Sequence, residues 1–320
     1  MQSRASRLPA AREVSKIGPM TSDFSEKRVL VTGGRGFIGA AVCGKLRDAG
    51  ADVWTVARSE PEDDDPQALV GDLQSIDATR QVIAEARPDI ILHLASHVIG
   101  MRSPDVVLST YHSNLTSTVN LLVAAQESGC DRVVLTGSLE EPDPSTEWPV
   151  PSSPYTAAKL AAGAYGRMFS ALFDMSVVIL RVFMVYGPGQ QDDKKLIPYV
   201  ITSLLDGNIP EFTSGQREVD WIFVDDVAEA YLRAAITPGV EGLTLDVGSG
   251  QTATVREVVE RLFELMQAGV PPQFGSVADR PMEQIRRANV EAIEKAIGWA
   301  PRTSLDEGLQ ATIDWYRHRR

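Results

Sequence analysis

The sequence predicts an α/β protein, a doubly wound parallel sheet joined to a smaller, mostly helical lobe. Three observations predict it. Short runs of β-branched and apolar residues alternate with long amphipathic stretches between residues 28 and 181. The short runs are almost continuously apolar, as parallel strands covered on both faces must be. Past Arg181 the rhythm changes to Gly- and Pro-rich turns separated by helices.

In order along the chain, runs 28–32, 52–57, 90–94, 132–136 and 176–181 read as strands. Stretches 38–49, 76–85, 110–128 and 155–173 read as helices. Strand and helix repeated in this way imply a sheet with helices on both faces. The segment 186–191 is a turn, and 196–205 is a helix with Pro198 in its first turn, where proline is tolerated. Residues 220–224 read as a strand, 226–236 as a helix, and 243–247 as a strand returning to the large sheet. A helix over 254–268 takes Thr252 or Thr254 as its N-cap. Gly298 ends the next helix and Ser304 starts the last. The expected division is an N-terminal extension over 1–25 and a main domain over 26–181, to which 220–248 returns. A second lobe spans 182–219 and 249–320, and the cleft between lobes is where a substrate belongs.

The chain has 320 residues and a formal charge of −12, which argues against a general nucleic-acid surface. An acidic protein that binds anions must do so through a few placed arginines. Cys43 and Cys130 stand in neither a CxxC nor a zinc-type spacing, so no disulfide framework or metal is expected and a cytoplasmic setting fits. No apolar run reaches the roughly 18 residues of a membrane span. Residues 1–25 carry Arg4, Arg7, Arg12 and Lys16 against Glu13 and Asp23. They lack the apolar stretch of a secretory signal. They read as a disordered tail or as sequence upstream of a start at Met20, with a transit peptide as the other reading.

The stretch Val29-Leu30-Val31-Thr32-Gly33-Gly34-Arg35-Gly36-Phe37-Ile38-Gly39 follows a strand and opens a helix. Gly33 permits the tight turn, Gly36 the approach of a diphosphate, and Gly39 close helix–strand packing. The helix N-terminus then holds the diphosphate. This makes the main domain Rossmann-type and the ligand a dinucleotide. At the end of the second strand stands Ala57-Arg58-Ser59, with Arg35 in the glycine loop. Arginines there suit a 2′-phosphate, which favours NADP(H). Glu60 and Glu62 are near enough to a ribose to keep NAD(H) open.

Tyr155 and Lys159 are four residues apart on one helix face. An ammonium beside a phenol favours the phenolate, so Lys159 is expected to lower the Tyr155 pKa and make it an acid/base. Lys159 also suits the nicotinamide ribose. Ser138, at the carboxyl end of the strand 132–136, is placed to orient a carbonyl beside Tyr155.

With these residues the chain resembles the extended short-chain dehydrogenase/reductases, the nucleotide-sugar epimerase/dehydratase group, over nearly everything from Lys27 to Tyr316. The resemblance also rests on Gly71-Asp72-Leu73, His93-Leu94-Ala95, Asn114, Val185-Tyr186-Gly187-Pro188-Gly189, the segment 220–227 and Gly298-Trp299-Ala300-Pro301. It implies cofactor contacts from Gly33, Arg35, Gly36, Phe37, Ile38, Gly39, Arg58, Asp72, Leu73, Leu94, Ala95, Tyr155 and Lys159, with Asp72 at the adenine. It implies catalytic roles for Ser138, Tyr155 and Lys159, with Asn114 in a proton relay. Glu140 resembles the glutamate that takes the sugar C5 proton in hexose 4,6-dehydratases, although Leu139 stands where an acid or hydroxyl often precedes it. The same Ser-x-Glu-Glu stretch is similar to that of some 4-keto-6-deoxyhexose reductases, so Glu140 reads as a second acid/base or as a polar wall.

Arg217 and Arg280 resemble arginines that hold the sugar diphosphate, and Met184 stands where many members carry Asn. His97 and His112 are candidate substrate contacts. The expected activity is that of a nucleotide-sugar epimerase or 4-ketoreductase. An NADPH-dependent carbonyl reductase on a non-sugar ketone is the alternative, followed by a non-enzymatic dinucleotide-binding regulator. The helices 110–128 and 155–173 form a homodimer interface in many members, which sets the same expectation here.

Overall fold

A computed structural model of the chain describes residues 24–60, 65–142, 147, 149–279 and 285–319. The call on the N-terminal extension falls almost wholly on residues 1–23, outside the described ones. The first half runs β1 (Arg28–Thr32), α1 (Phe37–Asp48), β2 (Asp52–Ala57), β3 (Ala68–Val70), α2 (Ile76–Ala86), β4 (Ile90–His93), α3 (Val107–Thr110), α4 (Ser117–Ser128), β5 (Arg132–Ser138), α5 (Pro154–Phe173) and β6 (Val177–Val182). The second half runs β7 (Met184–Tyr186), α6 (Leu196–Leu205), β8 (Glu211–Phe212), β9 (Glu218–Phe223), α7 (Val224–Ile236), β10 (Thr244–Val247), β11 (Thr252–Thr254), α8 (Val255–Met266), β12 (Gln273–Phe274), α9 (Val290–Ile297) and α10 (Leu305–His318).

Seven strands form one sheet in the order β10-β6-β5-β4-β1-β2-β3, with every ladder parallel. Successive strand residues point to opposite faces, and both faces are apolar. Val29 and Val31 pack with Val42 and Leu46 of α1 and Tyr231 of α7. Leu30 and Ile91 pack on the other side with Ile83 of α2, Leu121 and Leu122 of α4 and Phe169 of α5. This is the doubly wound Rossmann-type arrangement expected from the continuous apolar runs.

The second lobe has its own core of Tyr186, Ile197, Val200, Trp221, Val258, Leu262, Leu309 and Ile313. It is built on a three-stranded sheet, β11-β9-β7. The strand expected at 220–224 therefore pairs with Met184–Tyr186 and Thr252–Thr254, while α7 and β10 after it return to the large sheet. Capping follows the local sequence. Ser153–Thr156, Thr254–Glu257 and Ser304–Glu307 are reciprocal capping boxes, and Gly298 closes α9 in the left-handed region.

One expected helix is interrupted. The stretch 110–128 is not a single α-helix, because Tyr111–Thr116 forms a π-helical segment between α3 and α4. The hydroxyls of Ser117 and Thr118 donate to the carbonyls of Ser113 and Asn114 at 2.6 and 2.7 Å. Such back-bonding competes with the regular ladder and bends helices. Widened turns of this kind gather at functional sites.

Asp220 ties the lobes' loops together. It is fully buried, and its carboxylate accepts from Ser249 N (2.7 Å), Ser249 Oγ (2.8 Å), Gly250 N (3.0 Å) and Ala288 N (2.9 Å). Burial raises the thiols of Cys43 and Cys130 to about 11 and about 12, so neither is an activated nucleophile. No helix among the described residues is long and apolar enough to cross a membrane.

Candidate active site

The glycine turn leads from β1 into α1. Gly36 is the N-cap of α1 and no side chain bonds the first-turn N–H groups. Those donors are open to an anion. Gly33 has φ of +72°, and a Cβ there would lie 2.8 Å from the Ala95 nitrogen. A Cβ on Gly39 would lie 2.0 Å from the Gly33 carbonyl oxygen. The turn is thus closed to side chains and shaped for a diphosphate, and the residues present fit a dinucleotide.

Two cavities meet at this turn, sharing Gly33 and Ser96. One, of about 430 Å³, is lined by Arg35, Arg58, Asp72, Leu73, Ala95 and His97 among others. Arg35 is exposed, and its Nη1 donates to the carbonyls of Ser59 (3.1 Å) and Glu60 (3.0 Å). Glu62 lies outside the described residues. The other cavity, of about 480 Å³, is lined by Gly36, Phe37, Ile38, Gly39, Leu94, Ser138, Glu140, Tyr155, Lys159, Met184 and Arg217.

The serine, tyrosine and lysine converge in this second cavity. Pro154 and the Ser153 capping box start α5 at the cavity wall, which presents Tyr155 and Lys159. The hydroxyls of Ser138 and Ser96 stand near enough to the Tyr155 hydroxyl to favour its charged form. Lys159, 5% exposed, donates to the Thr136 carbonyl at 2.9 Å and stands 5.9 Å from the centre of the Tyr155 ring. Burial lowers its pKa to about 8, with Glu141 opposing the fall.

The expected lowering of the Tyr155 pKa is not what the structure gives. Withdrawal from water pushes the hydroxyl up to about 12, and the charges of Glu141 and Glu140 add to the rise against the opposing effect of the nearby Ser138 and Ser96 hydroxyls. A carboxylate pair on the neighbouring turn opposes the effect expected of Lys159.

Asn114 is 1% exposed in the π-helical segment. Its Oδ1 accepts from His97 N (2.6 Å) and Ser96 Oγ (3.1 Å), and its Nδ2 donates to the His97 carbonyl (3.1 Å). It therefore holds Ser96, whose hydroxyl lies near Tyr155. Glu140 accepts from Arg217 Nη2 at 2.6 Å, pairing a candidate acid/base with a candidate diphosphate ligand. His97 lines the first cavity, His112 lines neither, and Arg280 lies outside the described residues.

The model of the NAD dependent epimerase/dehydratase family matches residues 29–248. The chain belongs to this family. It is 31% identical to a UDP-glucose 4-epimerase of Mycolicibacterium smegmatis over 91% of this chain and 99% of that protein. It is 33% identical to a dTDP-glucose 4,6-dehydratase of the same organism over 91% and 93%. Among solved structures, MoeE5 in complex with UDP-glucuronic acid and NAD superposes with a TM-score of 0.80 at 31% identity, covering 91% of this chain and 99% of that one.

In this epimerase/dehydratase enzyme several residues that build the candidate site went unread in the sequence. Ser96 carried no signal beyond following His93-Leu94-Ala95. Glu141 looked like half of a repeated acid. His93 was legible only as part of a family string, yet it organises the floor of the site. Ala95 N donates to Thr32 Oγ1 (3.1 Å), which bonds His93 Nδ1 (2.8 Å), while His93 Nε2 bonds Thr118 Oγ1 (3.0 Å). Thr118 gives its own proton to the Asn114 carbonyl. Because the Thr118 proton is given away, His93 Nε2 must donate, and the neutral ring then accepts from Thr32 at Nδ1.

Burial, with the Lys159 charge, lowers the His93 pKa to about 3. The unfolded imidazole titrates near 6.5. Below about pH 6.5 the unfolded chain binds a proton that the folded chain refuses until about pH 3, so stability falls with pH across that window. The contribution is at most about 1.4 kcal/mol per pH unit. Denaturant unfolding of His93→Gln and the parent between pH 7 and 4 should show a shallower pH slope in the variant. Equal slopes would mean that His93 does not carry this term.

Proposed function

We propose that this NAD(P)-dependent enzyme acts on a nucleotide-activated sugar as an epimerase or 4-ketoreductase, with Tyr155 as acid/base. The observation that carries the reading is the convergence of Tyr155, Ser138 and Lys159 in one cavity that is continuous with the dinucleotide cradle at Gly33 and Ser96. The dinucleotide supplies hydride chemistry. Ser138 orients the sugar oxygen, Tyr155 exchanges a proton with it, and Lys159 stabilises negative charge on the phenol. Arg217 and Lys195 line the same cavity and suit a diphosphate, a role the sequence also proposes for Arg280. The substrates named for the relatives support the class. Elimination of water is disfavoured by the buried, apolar Leu139 and by the engagement of Glu140 with Arg217. The apolar wall of Val98, Ile99, Phe183 and Met184 supports a second reading, reduction of a non-sugar ketone.

For the cofactor, Arg35 and Arg58 on the first cavity favour NADP(H), while the NAD in the MoeE5 complex favours NAD(H). Titration of the purified protein should give NADPH an advantage over NADH of about tenfold, or about 1.4 kcal/mol, narrowed by Arg58→Ala. A preference for NADH would return both arginines to surface roles. With UDP- and dTDP-linked sugars or their 4-keto forms, Tyr155→Phe should lower kcat by about 10²–10⁴-fold with cofactor affinity kept. Full activity in that variant would end the acid/base reading.

A homodimer is part of the same proposal. Leu108 and Leu172 are each 68% exposed, with Tyr111, Tyr165 and Phe173 exposed beside them on α3, the π-helical segment and α5. Sedimentation at micromolar concentration should show a dimer that Leu172→Glu weakens. A monomeric parent protein would remove this part.

A further inference from the structure

The end of β5 carries an arrangement that the proposed chemistry does not use. β5 pairs with β4 only as far as Leu135, but with β6 as far as Ser138. Alternate residues of a strand turn their peptide groups toward opposite neighbours. Val133 N and Leu139 N bond the β6 side, at the Ser176 and Val182 carbonyls, and Arg132 N bonds the β4 side, at Asp89. Thr136 O and Ser138 N therefore face the β4 side past the end of that ladder. Buried peptide groups must find partners. Lys159 donates to Thr136 O at 2.9 Å, and Glu141 Oε1 accepts from Ser138 N at 2.7 Å. A cation and a carboxylate, each 5% exposed, thus satisfy two neighbouring orphans on one side of one strand. Gly137 lies between them, and a Cβ there would sit 2.8 Å from Glu141 Oε1.

We infer that Glu141 is a positioning residue and the counter-charge of Lys159: its carboxylate fixes the turn that aims Ser138 and keeps the buried lysine an ammonium at neutral pH. A buried lysine without a nearby negative charge loses its proton readily. The surroundings offer Lys159 little else. From β4 it faces His93, held neutral. From β5 it has the Thr136 carbonyl, and from its own helix Tyr155, held protonated. Tyr231 of α7 reaches the same place only through the Thr136 hydroxyl. Glu140 is engaged by Arg217, and Arg286 donates to the Glu141 backbone carbonyl at 2.8 Å. Glu141 favours the charged form of Lys159 against the desolvation that lowers its pKa to about 8.

The inference rests on the reading of Lys159 as the electrostatic partner of Tyr155, but its test needs no substrate. Carbon-13 NMR of lysine side chains, with the Lys159 signal assigned by Lys159→Met, reads the Lys159 titration directly. Glu141→Gln keeps an acceptor for Ser138 N and removes the charge. The Lys159 midpoint should fall by about one pH unit in this variant and stay near the parent value in Glu141→Asp. An unchanged midpoint in Glu141→Gln would overturn the inference, because a purely structural role leaves the lysine unmoved. Should Glu141→Gln fail to fold, the parent titration decides: a Lys159 midpoint above pH 7 supports the inference, and one below pH 7 overturns it, because the lysine would then not be an ammonium at neutral pH. Loss of the catalytic reading would show separately, as undiminished activity of Tyr155→Phe.

Discussion

β5 runs on past the end of its pairing with β4, from Leu135 to Ser138, and the candidate site hangs on that overhang. A parallel sheet covered by helices on both faces offers unpaired polar groups at its edge strands and at its strand ends. Here the exposed carbonyl and amide on the β4 side are taken by Lys159 and Glu141. Ser138 ends the strand, Glu140 follows it, and α5 is anchored to it through the lysine. The glycine turn approaches the same edge from β1, two strands away in the sheet. Gly33 and Ser96 then join the two cavities.

The floor of the site obeys the same rule that buried polar groups must be paired. Thr32 on β1, His93 on β4 and Thr118 on α4 form a directed chain of hydrogen bonds from Ala95 N to the Asn114 carbonyl. The chain works because the imidazole is neutral, and the charge of Lys159 nearby helps to keep it so. Asn114 in turn clamps Ser96 and His97 with its side chain. The π-helical segment gives Asn114 this reach, since a regular turn at 111–116 would carry its side chain along a different direction. The interruption in the helix is thus coupled to the position of Ser96.

Much of this was legible in the sequence, where physics is local. The apolar runs reported the strands because both faces of the sheet are buried, and the capping residues Thr254, one of two candidates, and Ser304 reported helix starts. The spacing of Tyr155 and Lys159 placed them on one helix face, and the glycine spacing reported the cradle. What was not legible depends on groups distant in sequence. The pairing of β9 with β7 and β11 is set by the second lobe's core rather than by the pattern of 218–223. The π-helical segment depends on hydroxyls bonding carbonyls one turn back. The direction of the Tyr155 shift depends on how far burial and the two carboxylates outweigh one lysine, a balance that spacing cannot report.

That balance bears on the direction of the chemistry. A phenol pushed up to about 12 stays protonated near neutral pH and is ready to give its proton to an oxygen that gains negative charge as a carbonyl is reduced. To take a proton from a sugar hydroxyl, the same phenol needs more positive charge beside it than the resting site gives it. An oxidised nicotinamide carries such a charge and a reduced one does not. An epimerase passes through both states in each cycle and must let Tyr155 serve in both senses. A ketoreductase needs only the donor. The resting electrostatics of Tyr155 and the arginines at the first cavity therefore favour the same half of the proposed reaction, the reduction of a keto group. Burial pushes Tyr155 toward it first, and Glu141 and Glu140 add to the push.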